Sequence, residues 1–334
     1  MKIYLGGHNA SVPLHNASVP LVAGTEISLV NAFLKAGFET CDRVIEADAI
    51  VFIEMDTGLM RKIKKFSSDR IPIIFVRYEP IVVWPENYNA KAIALTSKLI
   101  DVGRISEADN PNFPWPQDWD QNLKFREVVS TRNESVALIN GNKLSFIKGE
   151  MYSIRRECIF GLQNFDVYGM GWDLSLSRKI LIFIAEIKLA TTNRIWPKLS
   201  NSRGWLKRPT NWIGAPNSKL ETLSKYKYSL VIENSMDYMT EKLFDALFAR
   251  CIPVYVGPAV SKFEIPEFLV VQVDPDLASI KKGIAVAQAM DYENWKAELN
   301  AWLLQDEVFN KWSAANVYEA IVTEASICIK DFQS

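Results

Sequence analysis

Apolar residues in this chain come mostly in short unbroken runs, and between the runs they recur at helical spacing. The runs are "KIYLGG" near the N-terminus, "AIVFIEM" from Ala49, "IPIIFVRY" from Ile71 and "SVALIN" from Ser135. They continue with "FDVYGMG" from Phe165, "YSLVIE" from Tyr228, "IPVYVG" from Ile252 and "FLVVQV" from Phe268. A strand that is apolar without alternation is covered on both faces, as in a parallel sheet between two helical layers. Helical spacing predicts helices over Glu26–Ala36, Ser153–Leu162, Glu241–Ala249 and Leu277–Met290, and from Tyr292 to the end. The apolar helix face at Ile180–Ile187 reads as core rather than as a membrane patch. Alternation of strand and helix implies an α/β protein with doubly wound layers.

The segment "EADNPNFPWPQDWDQN", from Glu107, breaks the alternation. It is rich in Pro, Asp, Asn and Trp, without periodicity, and marks a domain boundary. A chain of 334 residues suits two domains. The expected division is 1–125 and 126–334, with the last helices crossing back, and the simplest arrangement is two Rossmann-like domains facing across a cleft.

Composition narrows the functions. The net charge of −1 argues against a nucleic-acid binder. The four cysteines are far apart and read as reduced thiols, which implies a cytoplasmic protein. "MKIYLGG" enters a strand at once, so no signal peptide or anchor is expected, and the sequons at Asn9, Asn16 and Asn133 are expected to stay unmodified. The only histidines, His8 and His15, fall in a tandem repeat of "HNASVPL". A general base elsewhere must then be a carboxylate, Tyr, Lys or Cys. The repeat reads either as a duplicated surface loop or as a loop touching an acceptor. Charge is uneven in one place. Residues 172–208 hold eight Lys or Arg against Asp173 and Glu186, a net of +6. Two readings stand: a solvated excursion, or a peripheral contact with anionic lipid at the inner membrane face, where lipid-linked acceptors are found.

The stretch "YSLVIENSMDYMTEKLFDALFARCIPVYVG" from Tyr228 carries the most chemistry. A buried strand runs into a polar turn, and a helix starts near Thr240. A loop leaving the C-terminal end of such a strand points at the ligand. The helix start presents free N–H groups and partial positive charge, which suit a phosphate. Lys242 adds a full charge. Glu233, Asn234 and Glu241 suit sugar hydroxyls, and Tyr238 suits stacking or hydrogen bonding. No GxGxxG or Walker pattern is present, which argues against a dinucleotide or P-loop site.

This stretch closely resembles the donor-binding motif of the family 10 glycosyltransferases, the α-1,3/4-fucosyltransferases. "NKLSFIKGEMYSIRRECIFGL" followed by "FDVYGMGW", and "WIGAPNSKLETLSKYKYSL" with Lys219, resemble the same family. The resemblance covers roughly Ser135 to Val273. It implies a GT-B fold, with donor in the C-terminal domain and acceptor in the N-terminal one. It implies GDP-β-L-fucose as donor substrate, a glycan acceptor and inversion at the anomeric carbon; the lack of a His or Asp cluster suited to a metal leads to the expectation of neither cofactor nor metal. Arg155 and Lys242 match the basic groups that hold the diphosphate, with Arg156 the neighbour of the first. Asn234, Tyr238 and Glu241 match polar groups around the nucleotide sugar. Glu79 falls where the family carries its presumed general base, and Glu86 is the alternative. Asp118–Asp120 imitates a metal-binding DxD but sits in the expected linker. Two other readings stay open: the same fold with another nucleotide sugar, and a non-catalytic nucleotide-sugar or glycan binding protein.

Overall fold

The computed structural model describes residues 1–7, 29–66, 71–105, 112–123 and 131–333. The "HNASVPL" repeat, with His8 and His15, lies outside the described residues. The chain forms two units, one of residues 1–119 and 309–334, the other of residues 120–308.

The first unit holds a parallel sheet of β1 (Lys2–Gly7), β2 (Glu39–Cys41), β3 (Ala49–Ile53), β4 (Ile73–Arg77), β5 (Lys98–Val102) and β6 (Asn112–Phe113), in the order β2-β1-β3-β4-β5-β6. Its helices include α1 (Leu29–Lys35), α2 (Thr57–Phe66) and the short α3 (Ala90–Ile93). The unbroken apolar runs have the expected cause. Along β3, Ala49, Val51 and Ile53 face one core, shared with Leu29, Val30 and Phe33 of α1. Ile50 and Phe52 face the other, shared with Met60 and Ile63 of α2. Part of the expected linker is structured: β6 pairs with β5, and Trp115 meets Tyr78 edge-on at 5.7 Å between ring centroids.

Helix α4 (Trp119–Leu123) takes the chain into the second unit. Here β7 (Asn133–Ile139), β8 (Phe165–Tyr168), β9 (Trp212–Gly214), β10 (Tyr226–Ile232), β11 (Ile252–Val256) and β12 (Val271–Gln272) form a second parallel sheet, ordered β12-β11-β10-β7-β8-β9. The strand order reverses between β7 and β10, the switch point at which such sheets leave a crevice beyond their C-terminal ends. The helices are α5 (Tyr152–Gly161), α6 (Leu176–Thr192), α7 (Lys219–Leu223), α8 (Glu241–Phe248), α9 (Leu277–Ala289) and α10 (Tyr292–Leu303). Helix α11 (Asp306–Trp312) leads back, and α12 (Ala314–Gln333) belongs to the first unit.

Two sequence expectations are corrected. The run from Phe268 is not a full strand. It opens with a 3-10 turn over Glu267–Leu269, entered from Pro266, and only Val271–Gln272 pairs, at the sheet edge. The helix carrying Ile180–Ile187 is not apolar because it is wholly core. Ile182, Phe183 and Ile187 pack against Leu144, Phe146 and Trp205, whereas Ile180, Leu181 and Ile184 are exposed.

Candidate functional site

At the end of β10 the chain turns through residues 233–240 into α8. Glu233 is fully buried, and its backbone N–H extends the sheet by donating to the Val256 carbonyl at 2.8 Å. Its carboxylate accepts from Thr240 N at 3.0 Å and from Thr240 Oγ1 at 2.7 Å, so an acid closes the start of α8 and satisfies a donor left over by the helix. Lys242 Nζ donates to Thr240 Oγ1 at 2.6 Å and lies 3.5 Å from Glu233 Oε2. Gly257 makes room for this. A Cβ there would stand 2.4 Å from Tyr255 Oη and 2.9 Å from Glu233 Cγ.

Arg155 lies on α5, whose first turn is held by Glu150 accepting from Tyr152 N at 2.6 Å and Ser153 N at 3.0 Å. Its guanidinium is buried across the switch point. It donates to Asn140 Oδ1 at 2.8 Å, just past β7, and to the Ile232 carbonyl and Asn234 Oδ1, the latter at 3.1 Å, at the end of β10. Burial lowers its pKa below the ordinary arginine value. The geometry thus gives Arg155 the task of tying the ends of two strands, rather than the open phosphate contact expected from the motif. Arg156 is also buried, donating to the carbonyls of Lys143, Asn201 and Arg203.

On the helix side, Lys219 Nζ donates to Glu241 Oε1 and to Asp245 Oδ2, both at 2.9 Å. Burial alone would raise the Glu241 carboxyl, but Lys242 and Lys219 hold it well below the usual carboxylate range. Asp245 moves the other way, raised by burial and by Glu241 against the pull of Lys219. Tyr238 is fully buried and Asn234 nearly so; neither presents an open face. Lys242, Glu241 and Asp237, all half-buried, and the more exposed Lys219 and Met236 have surface at this turn. An ammonium at a helix start beside a sheet switch point is suited to a phosphate.

In the first unit, Glu79 follows β4 by two residues, at the C-terminal edge of the sheet, and is half-buried. Its backbone is pinned. Glu79 N and Tyr78 N both donate to Glu54 Oε1 at 2.9 Å, and Asn87 Nδ2 donates to the Glu79 carbonyl at 3.0 Å and to Glu54 Oε2. Asn87 Oδ1 accepts from Met55 N at 2.7 Å, which fixes the amide's orientation. Glu54 has a left-handed backbone, φ 60°. Burial of its carboxyl, with Glu79 nearby, pushes its pKa up to about 8 despite the hydrogen bond from Asn87. Beside it, Gly7 ends β1 at φ 153°, where a Cβ would stand 1.7 Å from the Ile53 carbonyl oxygen. Glu86, the alternative base, is already committed. Its Oε2 accepts from Thr57 N and Thr57 Oγ1, both at 2.9 Å, at the start of α2. Of the DxD imitation, the Asp120 side chain lies outside the described residues. Among the described residues, no three His, Cys, Asp or Glu gather as a metal site.

Sequence reasoning missed Glu54, Asn87 and Asn140. Glu54 and Asn140 sit just past an apolar run, where polar residues first reappear, and Asn87 follows two residues after Pro85.

Residues 207–304 match the family model of glycosyltransferase family 10 (fucosyltransferase), C-terminal part. Human 4-galactosyl-N-acetylglucosaminide 3-alpha-L-fucosyltransferase FUT6 is 41% identical over 80 residues, and the match spans 22% of this chain and 22% of that protein. A solved α1,3-fucosyltransferase matches with a TM-score of 0.56 at 13% identity, over 99% of this chain and 90% of that one. Its likeness solved with GDP-fucose matches with a TM-score of 0.53 at 12% identity, over 99% and 90%. At such identities the structural likeness shows the fold, an α/β fold of GT-B type, and the family resemblance is carried by residues 207–304.

Proposed function

We propose, with a family 10 donor segment at residues 207–304 as the premise, that this protein transfers L-fucose from GDP-β-L-fucose to a hydroxyl of a glycan, with inversion. One observation carries the reading: the matched segment contains the turn where Lys242 sits at the start of α8 beside the sheet switch point.

In this reading the second unit binds the nucleotide sugar. The C1–O bond to the diphosphate breaks, and negative charge grows on GDP. Lys242 and the first N–H groups of α8 are placed to stabilise it. Arg155 holds the strand ends on which the turn is built, and the Lys219–Glu241–Asp245 cluster fixes the first turn of α8. The acceptor hydroxyl attacks C1 and gives its proton to a carboxylate. Glu79 is the choice over Glu86, because Glu86 caps α2. A base positioned at such a step contributes roughly 10² to 10⁴ in rate.

The test has two parts. Thermal stabilisation by GDP, UDP, ADP and CMP identifies the nucleotide, and GDP is expected to stabilise most. A screen of glycan acceptors with GDP-fucose, read by mass, then identifies product. Stronger stabilisation by UDP would transfer the reading to a uridine-linked sugar. GDP binding without transfer to any acceptor would favour a binding protein.

A further inference from the structure

Helix α6 has two apolar faces. One packs on Leu144, Phe146 and Trp205 through Ile182, Phe183 and Ile187. The other carries Ile180, Leu181 and Ile184, at 48%, 66% and 57% exposure, with Leu176 one turn earlier also exposed. A stripe at this spacing normally faces a core; here a second one faces outward. The segment after α6 is tied to both ends of the helix. Ile195 N donates to Ala190 O at 2.8 Å, so Trp196, 92% exposed, follows directly from the C-terminal end. Lys179 Nζ donates to Leu206 O at 3.2 Å near the N-terminal end, and Leu206 is exposed as well.

The same stretch of chain is rich in cations. Arg178, Lys188, Arg194, Lys198, Arg203, Lys207 and Arg208 are all exposed, while Lys179 is buried. The two acids of the stretch weigh little against them. Burial raises the Glu186 carboxyl to about 7, so it is only partly ionised near neutrality, and Asp173 is the exposed acid of the stretch. The chain as a whole is slightly anionic, so the positive charge is concentrated in this stretch.

We propose that the exposed face of α6, with Trp196 and the surrounding Lys and Arg, docks peripherally on an anionic lipid bilayer. Aliphatic side chains enter the headgroup boundary, a tryptophan favours that boundary, and cations pair with anionic headgroups. Among the described residues no helix is long and apolar enough to cross a membrane, which fits a contact that lies on the surface. A second copy of the chain fits less well, because two strongly cationic surfaces would be apposed. A nucleic acid fits less well too, because phosphates do not cover isoleucine and leucine. The inference does not rest on the donor reading.

Flotation of the full chain with vesicles tests it. Vesicles of phosphatidylcholine alone and of phosphatidylcholine with phosphatidylglycerol are compared, in dilute and in concentrated salt. Partitioning is expected to be about tenfold or more stronger on the anionic vesicles and to weaken in salt. The double variant Leu181→Glu, Ile184→Glu and the single variant Trp196→Ala should each lose most of it. These side chains are exposed, and an unchanged circular dichroism spectrum and melting temperature would show that the variants fold. Three results overturn the proposal: no flotation with anionic vesicles, flotation undiminished in both variants, or a concentration-dependent dimer that the double variant abolishes in the absence of lipid.

Discussion

Glu79 and Glu54 look alike in sequence, each a glutamate ending an apolar run, and the structure separates them. Glu79 has a pinned backbone and a half-buried side chain, whereas Glu54 spends both carboxylate oxygens on the pinning. Glu79→Gln is therefore expected to lower turnover by roughly 10² to 10⁴ with little change in melting temperature or GDP binding. Turnover within a few-fold of the parent would remove Glu79 as the base. Glu54→Gln behaves differently. Met55 N fixes the Asn87 amide, so Asn87 Nδ2 must point at residue 54, and a glutamine amide there meets a donor or gives up the two backbone N–H groups. Each unsatisfied buried group costs about 1–3 kcal/mol, so this variant should melt earlier as well as turn over more slowly. The parent carries a pH signature. The Glu54 carboxyl is raised from 4.5 to about 8, so between these values the folded state keeps a proton that the unfolded state has lost. That contribution to stability is full below the lower value and is lost as pH rises through the upper one. Melting temperature followed across this window should fall with pH in the parent and fall less in Glu54→Gln. Equal slopes would mean that Glu54 is not the group responsible. Glu79 was legible as a candidate in the sequence, but the part played by Glu54 was not, because it depends on which strand ends lie side by side.

At the scale of elements, the turn from β10 into α8 was the most readable part of the chain. A buried strand, a polar turn and an amphipathic helix in succession leave little freedom, and the structure has all three. Strands β2, β5, β6 and β9 were not read, because "ETC", "KLIDV", "NF" and "WIG" are short or interrupted by charge. The run from Phe268 misled for the opposite reason: it is apolar enough for a strand, but lies at an edge after Pro266 and need not pair throughout. The same limit applies to Arg155. A motif fixes its position in the chain, not the direction of its guanidinium. Two substitutions distinguish the roles of the two cations. Lys242→Ala removes a half-buried charge at the helix start and should weaken GDP binding roughly tenfold to a hundredfold. Arg155→Lys keeps the charge but cannot span three acceptors on two strand ends, so it should lower the melting temperature before nucleotide is added. A lysine variant that melts like the parent and fails only in GDP affinity would restore Arg155 as a direct phosphate ligand.

On the scale of the whole chain, the first unit is completed by residues distant in sequence. Helix α12 buries Ala314, Val317, Tyr318, Ile321, Val322, Ala325 and Ile329 in the core that also takes Ile3, Leu5, Val51, Ile53, Ile74, Val76, Ile100 and Val102 from the sheet. The spacing of these helical positions is that of one continuous face, which the sequence does reveal. Periodicity does not say which sheet the face covers. The structure answers this with α12 on the first sheet and Lys98 Nζ paired with Glu324 at 2.5 Å. The consequence is a folding dependence that a division at the linker would not give. Ile321→Ala removes a fully buried side chain from the α12 face and should cost about 2–5 kcal/mol. Truncation after Ser313 strips α12 from the side of the first sheet that it covers together with α1. Hydrogen exchange is the direct measurement: amides of β1, β3 and β4 should lose protection in the truncated chain, although they are more than two hundred residues from the cut. Amides of β7, β10 and β11 should keep theirs, and GDP should still raise the protection of α8, because that core lies in the other unit. Undiminished protection of β1, β3 and β4 would mean that the first sheet is stable without its C-terminal helix. Loss of protection in all six strands together would mean that the two units unfold as one.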